Sequence, residues 1–118
     1  MKKQIWKAKV TQEIEWKEWF SKRPQQFTFD YYLDEYRLAL TEQDAVTMFL
    51  STNNISEVSD WHVVYFSLPK KFNVINSSIK VESVIPTLDK LKKNMYADEF
   101  LQYCRQELFP TLDISDII

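Results

Sequence analysis

FTFDYYLDEYRLAL, residues 27 to 40, is the stretch of the sequence on which the fold depends. Apolar and aromatic residues alternate here with charged ones, which is the period of a strand with one buried face. If Asp34 and Glu35 form a two-residue turn, the two arms become a β-hairpin in which facing residues match in character. The shared face of that hairpin would carry Phe29, Tyr31, Leu33, Tyr36, Leu38 and Leu40.

The same stretch has a second interpretation. Asp-Glu is a poor sequence for the primed turns that join hairpin strands. Spacings of three and four residues are also present, and these are typical of one face of a helix. We favour the hairpin, and residues 31 to 40 stay open between strand and helix. The residues at helical spacing are Leu33, Tyr36, Arg37 and Leu40.

On the N-terminal side, Trp6, Ala8 and Val10 alternate with polar residues, so residues 4 to 11 are predicted to form a strand. The segment QEIEWKEWFSKRP that follows has its large residues at helical spacing and stops at Pro24, which disfavours helix in the preceding residue. A helix is therefore expected there. Because the alternation also continues as far as Trp16, a longer strand is the alternative.

On the C-terminal side, Thr41 precedes Glu42, Gln43 and Asp44, a pattern typical of a helix N-terminus. A helix is predicted over residues 42 to 52. The chain has no glycine, so we expect Asn53 and Asn54 to end this helix in left-handed backbone geometry, which asparagine tolerates better than most residues.

The second half of the chain contains both element types. WHVVYFSL, residues 61 to 68, is β-branched and aromatic on both faces and predicts a central strand. Residues 72 to 85 predict a further strand before Pro86. Helical spacing then predicts a short helix in PTLDKLKKN that ends at Asn94 and a longer helix over residues 97 to 109.

These elements predict an α+β fold in a single domain over residues 1 to 118. We expect an antiparallel or mixed sheet of four to five strands, packed by two to four helices. A chain of this length buries about two-thirds of its unfolded surface, which is enough for one core without disulfides or a metal.

Composition excludes several classes of function. Phosphate-binding loops and dinucleotide fingerprints need glycine, and the sequence has none. One histidine and one cysteine cannot form the usual zinc sites, so no metal and no cofactor is expected. Cys104 falls on the apolar stripe of the last helix, and His62 stands beside Trp61. We interpret both as structural residues and predict that the protein is not an enzyme.

The expected setting is the cytoplasm. A single cysteine does not support a disulfide framework, and lysines interrupt the apolar residues near the N-terminus where a secretory signal would need a continuous run. No apolar run approaches the roughly 18 residues that a membrane-spanning helix requires.

The leading hypothesis is a small protein-binding module that presents an acidic and aromatic surface to a partner with a basic surface. A sharper form is an immunity-type inhibitor, whose carboxylates would occupy the basic cleft of a toxin nuclease in place of phosphates. The pattern leaves the oligomeric state open. The proposed partner-binding residues are Asp30, Tyr32, Asp34, Glu35, Tyr36, Glu42 and Asp44.

Two alternatives belong to other classes. Basic residues dominate segments 1–23 and 61–93, so a nucleic-acid-associated protein would follow if folding placed both on one face. The net charge of −2 argues against this function. An enzyme that uses carboxylates is the second alternative, with Asp30, Asp34 and Glu35 as candidate acids.

Overall fold

The strand β1 (Gln4–Trp16) forms the centre of a three-stranded antiparallel sheet, between β2 (Gln25–Ala39) and β3 (Asn73–Ser83). The computed structural model describes residues 2–108. Four helices accompany the sheet in that range: α1 (Glu42–Thr52), α2 (Asp60–Tyr65), α3 (Leu88–Asn94) and α4 (Ala97–Leu108). The predicted α+β class is confirmed, and within the described range the sheet is purely antiparallel with three strands, where four to five were expected.

The first strand is longer than predicted. Alternating burial continues along β1 through Val10, Gln12 and Ile14, because this face of the strand is covered along its length. The alternative of a longer strand is therefore correct, and the helix expected in QEIEWKEWFSKRP does not form. Residues 17–24 instead connect β1 to β2.

Residues 27–39 belong to one continuous strand, and the turn predicted at Asp34 and Glu35 is wrong. β1 pairs with β2 along its whole length, which leaves no second arm for a local hairpin. The ladder shifts beside Ala8, where Lys7 pairs with Tyr36 but Lys9 pairs with Tyr32. The extra residues of β2 form an irregularity that takes the place of the turn.

This irregularity also changes which side chains share a face. Phe29 and Leu33 lie on the same side of the sheet as the even-numbered residues of β1, whereas Tyr36 and Leu38 pack on the opposite side with Ile5. The single buried face expected for residues 29 to 40 is therefore wrong. Leu40 lies beyond the strand and is partly exposed.

The helix α1 occupies residues 42 to 52 as predicted. The Thr41 hydroxyl accepts a hydrogen bond from the backbone N–H of Asp44 at 3.1 Å, which satisfies one of the free donors of the first turn. The helix does not end in left-handed geometry, because Asn53 has φ −133°. Its side chain instead donates to the Phe49 carbonyl at 3.0 Å. Among the described residues, only Ser67 has a positive φ, of 53°.

Residues 61 to 68 do not form a strand, and most of them belong to the short helix α2. A central strand would need cover on both faces, but the fold provides cover for only one side of this segment. His62 and Phe66, four residues apart, face the sheet, and Trp61 and Val64 face outward. The connection before α2 is held by Gln12, whose Nε2 donates to the Ile55 carbonyl at 2.8 Å.

The remaining predicted elements form as expected. β3 and α3 lie within the predicted ranges, and α4 begins at Ala97 and continues to Leu108, where the described part of the chain ends. Within that part, no helix is long and apolar enough to cross a membrane.

The core consists of two clusters, one on each face of the sheet. The first lies between the sheet and helices α3 and α4, and the second lies below α1. Both use the same end of the sheet, so the remaining part of one sheet face stays open to solvent. The first cluster contains Ile5, Tyr36, Leu38, Leu91 and Met95. The second contains Trp6, Ala8, Ala39, Ala45 and Phe49.

Candidate protein-binding surface

A buried ion pair organises the outer edge of β2. The guanidinium Nε of Arg37 donates to Glu99 Oε1 at 3.2 Å, and both side chains are buried. The same carboxylate oxygen accepts the backbone N–H of Leu38 at 2.8 Å. Glu99 therefore satisfies a strand-edge donor as well as a charge, and it attaches α4 to β2.

Arg37 connects three further groups. One of its terminal nitrogens donates to the Met48 carbonyl at 3.4 Å and to the Thr52 hydroxyl at 3.3 Å, both on α1. The guanidinium carbon lies 4.6 Å from the ring centroid of Tyr96, a cation–π distance. Because one side chain holds α1, α4 and Tyr96 against β2, the surrounding surface has a rigid support.

An open depression of about 270 Å³ lies on one side of this pair. Asp34 and Glu35 contribute carboxylates to it, Lys93 contributes an ammonium group, and Tyr96 contributes a partly exposed ring. Glu35 is also engaged locally, since its carboxylate accepts hydrogen bonds from Thr52 at 3.1 Å and from Asn53. Asp34 is the more available acid of the two.

A larger depression of about 540 Å³ lies on the other side, between the beginnings of α1 and α4. Asp44 and Asp98 line it with exposed side chains. The ammonium of Lys3, which lines the same depression, donates to Gln102 Oε1 at 3.1 Å. We call the two depressions, with their exposed acids Asp34, Asp44 and Asp98, the acidic edge.

The seven residues predicted to contact a partner fall in four places. Asp34 and Glu35 line the first depression. Glu42 and Asp44 lie in the first turn of α1, and Asp44 lines the second depression. Tyr36 is buried beneath α3 and α4.

The other two predicted residues, Asp30 and Tyr32, lie on the open face of the sheet. Asp30 forms an ion pair with Lys9 at 3.4 Å, and the ammonium of Lys7 lies 4.6 Å from the centroid of the Tyr32 ring. These two residues lie on the same face of the sheet as α3 and α4, farther along β2 than the acidic edge. The three acids suggested for an enzyme are also divided, because Asp30 pairs with Lys9, whereas Asp34 and Glu35 line the first depression.

An aromatic surface on α2 was missed by the sequence analysis. Trp61, Val64 and Tyr65 are 61%, 79% and 69% exposed, and the rings of Trp61 and Tyr65 meet at 5.4 Å in an edge arrangement. On the inner side of the helix, the ring centroids of Phe66 and Phe29 are 4.7 Å apart. The spacing of three and four residues from Trp61 to Val64 and Tyr65 was the available signal for a helix, but the β-branched and aromatic composition of the segment favoured a strand.

His62 lies in the same aromatic cluster. Its Nδ1 is 2.8 Å from the Ser59 hydroxyl, and its ring centroid is 3.9 Å from that of Tyr31. Burial lowers the pKa of His62 below its ordinary value, because the charged form loses its hydration. Burial raises the pKa of Tyr31 for the same reason. These contacts support a structural role for the histidine.

The remaining chemical candidates do not converge. Cys104 is a free, half-buried cysteine. In residues 2–108, no group of three or more histidine, cysteine, aspartate or glutamate side chains has the arrangement of a metal site. Two further aromatic residues, Trp19 and Phe20, are exposed in the connection between β1 and β2.

Comparison of the chain with known protein families, with curated proteins and with solved structures found no match.

Proposed function

We propose that this chain is a protein-binding module that engages a partner with a basic surface through the acidic edge. The observation that carries the proposal is the position of Asp34, Asp44 and Asp98 around one rigid support, the buried pair of Arg37 and Glu99. Charged groups of one sign on a preorganised surface accelerate association with an oppositely charged partner and select against other partners.

The acids of this edge are available to contact a partner. Within residues 2–108, Asp34, Asp44 and Asp98 form no ion pair, and the nearby Arg37 is already bound to Glu99. Asp44 and Asp98 also lie in the first turns of helices, where a negative charge is stabilised by the helix dipole. The fold can therefore hold these charges close together at little cost before a partner binds.

Tyr96 supplies an aromatic contact for the same surface. Its ring is partly exposed in the first depression and is held from behind by the Arg37 guanidinium. Tyrosine residues of this kind are enriched among the side chains that contribute most to binding energy at protein interfaces. We therefore include Tyr96 in the proposed interface and leave out Tyr36, which is buried.

An immunity-type inhibitor is the sharper form of this proposal. In that form, the partner is a nuclease whose basic cleft normally binds phosphates, and the carboxylates of the acidic edge occupy that cleft. The expected readout is loss of nuclease activity in the complex, with association that slows as the salt concentration rises.

The test is a triple variant, Asp34→Asn, Asp44→Asn and Asp98→Asn. Its rate of association is measured with the protein that co-purifies with the wild-type chain from its native cell. We expect association to slow about tenfold or more at low salt, with a weaker dependence on salt concentration. The matched control neutralises three acids elsewhere, through Glu13→Gln, Glu15→Gln and Glu57→Gln. Equal effects of the two triple variants, or unchanged binding by the first, would contradict the proposal.

One observation favours the nucleic-acid alternative. The fold brings Lys7, Lys9 and Lys80 together on the open face of the sheet, from the two basic segments of the sequence. Asp30 and Glu82 lie among them and reduce the positive charge of this face. Titration with a single-stranded oligonucleotide tests this function, since binding through these lysines would fall steeply with salt.

A further inference from the structure

In the described residues, the backbone groups on the outer edge of β3 have no partner strand. The N–H of Val84 donates to the Ile5 carbonyl at 3.0 Å, which shows the register in which even-numbered residues of β3 bond to β1. The N–H and C=O groups of Ser77, Ile79, Val81 and Ser83 therefore point away from the sheet. In the described residues, β1 is the only strand that pairs with β3.

The other edge of the sheet is covered in part. Tyr36 of β2 forms a bridge with Met95, and Glu99 accepts the N–H of Leu38. An open edge without such cover is a template for pairing with another strand. In the part of the chain that the structure describes, the β3 edge is therefore the edge without such cover.

Two charged side chains of β3 have no ion-pair partner within residues 2–108. Lys80 lies directly opposite Lys9 in the ladder, an arrangement of like charges that destabilises a sheet. Lys9 already pairs with Asp30, and Glu82 lies opposite Lys7, whose ammonium lies near the Tyr32 ring. Within residues 2–108, neither Lys80 nor Glu82 forms an ion pair.

We propose that the β3 edge binds a second copy of this chain in an antiparallel, two-fold symmetric pairing centred on Val81. In that register Lys80 of each copy lies opposite Glu82 of the other, so both charges gain partners of opposite sign. The free backbone groups also match, because Val81 faces Val81 of the second copy and Ile79 faces Ser83. The product is a continuous six-stranded antiparallel sheet.

This assembly is independent of the proposed function. It uses β3, whereas the acidic edge lies along β2 on the opposite side of the sheet. The dimer would carry two acidic edges, one at each end of the six-stranded sheet.

The experiment is sedimentation velocity on the full chain with two single variants, Lys80→Glu and Glu82→Lys. We expect the wild type to sediment with twice the monomer mass of 14.2 kDa in a concentration-dependent manner. Each single variant places like charges opposite each other in the dimer, so we expect its self-association to weaken about tenfold or more.

Mixing the two variants gives the sharper result. The introduced carboxylate of one variant then faces the introduced lysine of the other, and the Glu82 that the first retains faces the Lys80 that the second retains. An equimolar mixture should therefore recover the dimer mass. The variant that carries both substitutions should also recover it. Lys90→Glu, on the exposed surface of α3, is the matched control and should dimerise as the wild type does.

Three results would overturn the proposal. A wild-type chain that stays monomeric at about 1 mM, a concentration at which weak specific contacts form, has no such interface. Dimers that persist in both single variants use another surface or register. A mixture that stays monomeric, while circular dichroism shows both variants folded, excludes the pairing of Lys80 with Glu82.

Discussion

The carboxylate of Glu99 has two structural roles, because it binds the Arg37 guanidinium and also accepts a hydrogen bond from the backbone N–H of Leu38. Buried ion pairs of this kind contribute little beyond well-packed apolar residues, but loss of one partner leaves an uncompensated charge. The consequences of removing either side chain are therefore much larger than the value of the pair itself.

We predict that Glu99→Ala lowers the free energy of unfolding by about 3–5 kcal/mol, because Arg37 remains buried without its counter-charge. Urea denaturation followed by circular dichroism measures the change. Glu57→Ala removes an exposed carboxylate and should shift the stability by no more than about 0.5 kcal/mol. A loss below about 1 kcal/mol for Glu99→Ala would show that water reaches the arginine.

At the scale of the element, α2 depends on tertiary contacts. It spans only six residues, far fewer than an isolated helix needs, so it persists because His62 and Phe66 pack against the aromatic residues of β2. Ser59, which precedes the helix, contributes its hydroxyl to His62 and makes no capping bond to the backbone. The histidine is thus one of the main attachments of this helix.

We predict that stability falls as the pH drops through and below the ordinary histidine pKa of about 6.5. The pKa of His62 is lowered in the folded state, so the unfolded chain takes up the proton first and is favoured in acid. Above that pH the contribution is constant. The residues that face the ring are Tyr31, Phe29, Trp61, Phe66 and Ser59, and none supplies a carboxylate.

The measurement compares the free energy of unfolding at pH 7.5 and 5.5 for the wild type and for His62→Gln. The variant should be less stable at pH 7.5, because glutamine does not replace the ring contacts, and its stability should change less between the two pH values. An equal pH dependence in both proteins would assign the titration to other groups.

At the scale of the whole molecule, the sheet separates two cores that share strands but no side chains. Phe49 belongs to the cluster below α1, and Leu91 belongs to the cluster beneath α3 and α4. Both are fully buried. Since each cluster packs on its own face, a change in one should reach the other only through the backbone of β1 and β2.

We predict that Phe49→Leu and Leu91→Val each destabilise the protein by about 1 kcal/mol and that the double variant shows their sum within about 0.5 kcal/mol. Guanidinium denaturation of the wild type, the two single variants and the double variant measures the free energies of unfolding for this double-mutant cycle. A coupling larger than about 1 kcal/mol would mean that the two layers are not independent and that the sheet transmits packing changes between its faces.

Local sequence was sufficient to predict an element wherever the periodicity of its apolar residues and its capping residues specify it. The helix over 42–52 follows from Thr41 and the acids after it, and α3 and α4 follow from apolar residues at helical spacing. Alternation located most of β1, and β-branched residues before Pro86 located β3. These signals depend on residues only a few positions apart, so they predict an element without information on which segments pack against it.

The tertiary structure decided the rest. Whether 27–40 turns at Asp34 or continues as one strand depends on the presence of a long β1 beside it, and residues 61–65 form a helix because only one side of them is covered. The acidic edge depends on the contact between Arg37 and Glu99, which are far apart in the sequence. Burial and pairing across such separations are properties of the folded surface, and no local period encodes them.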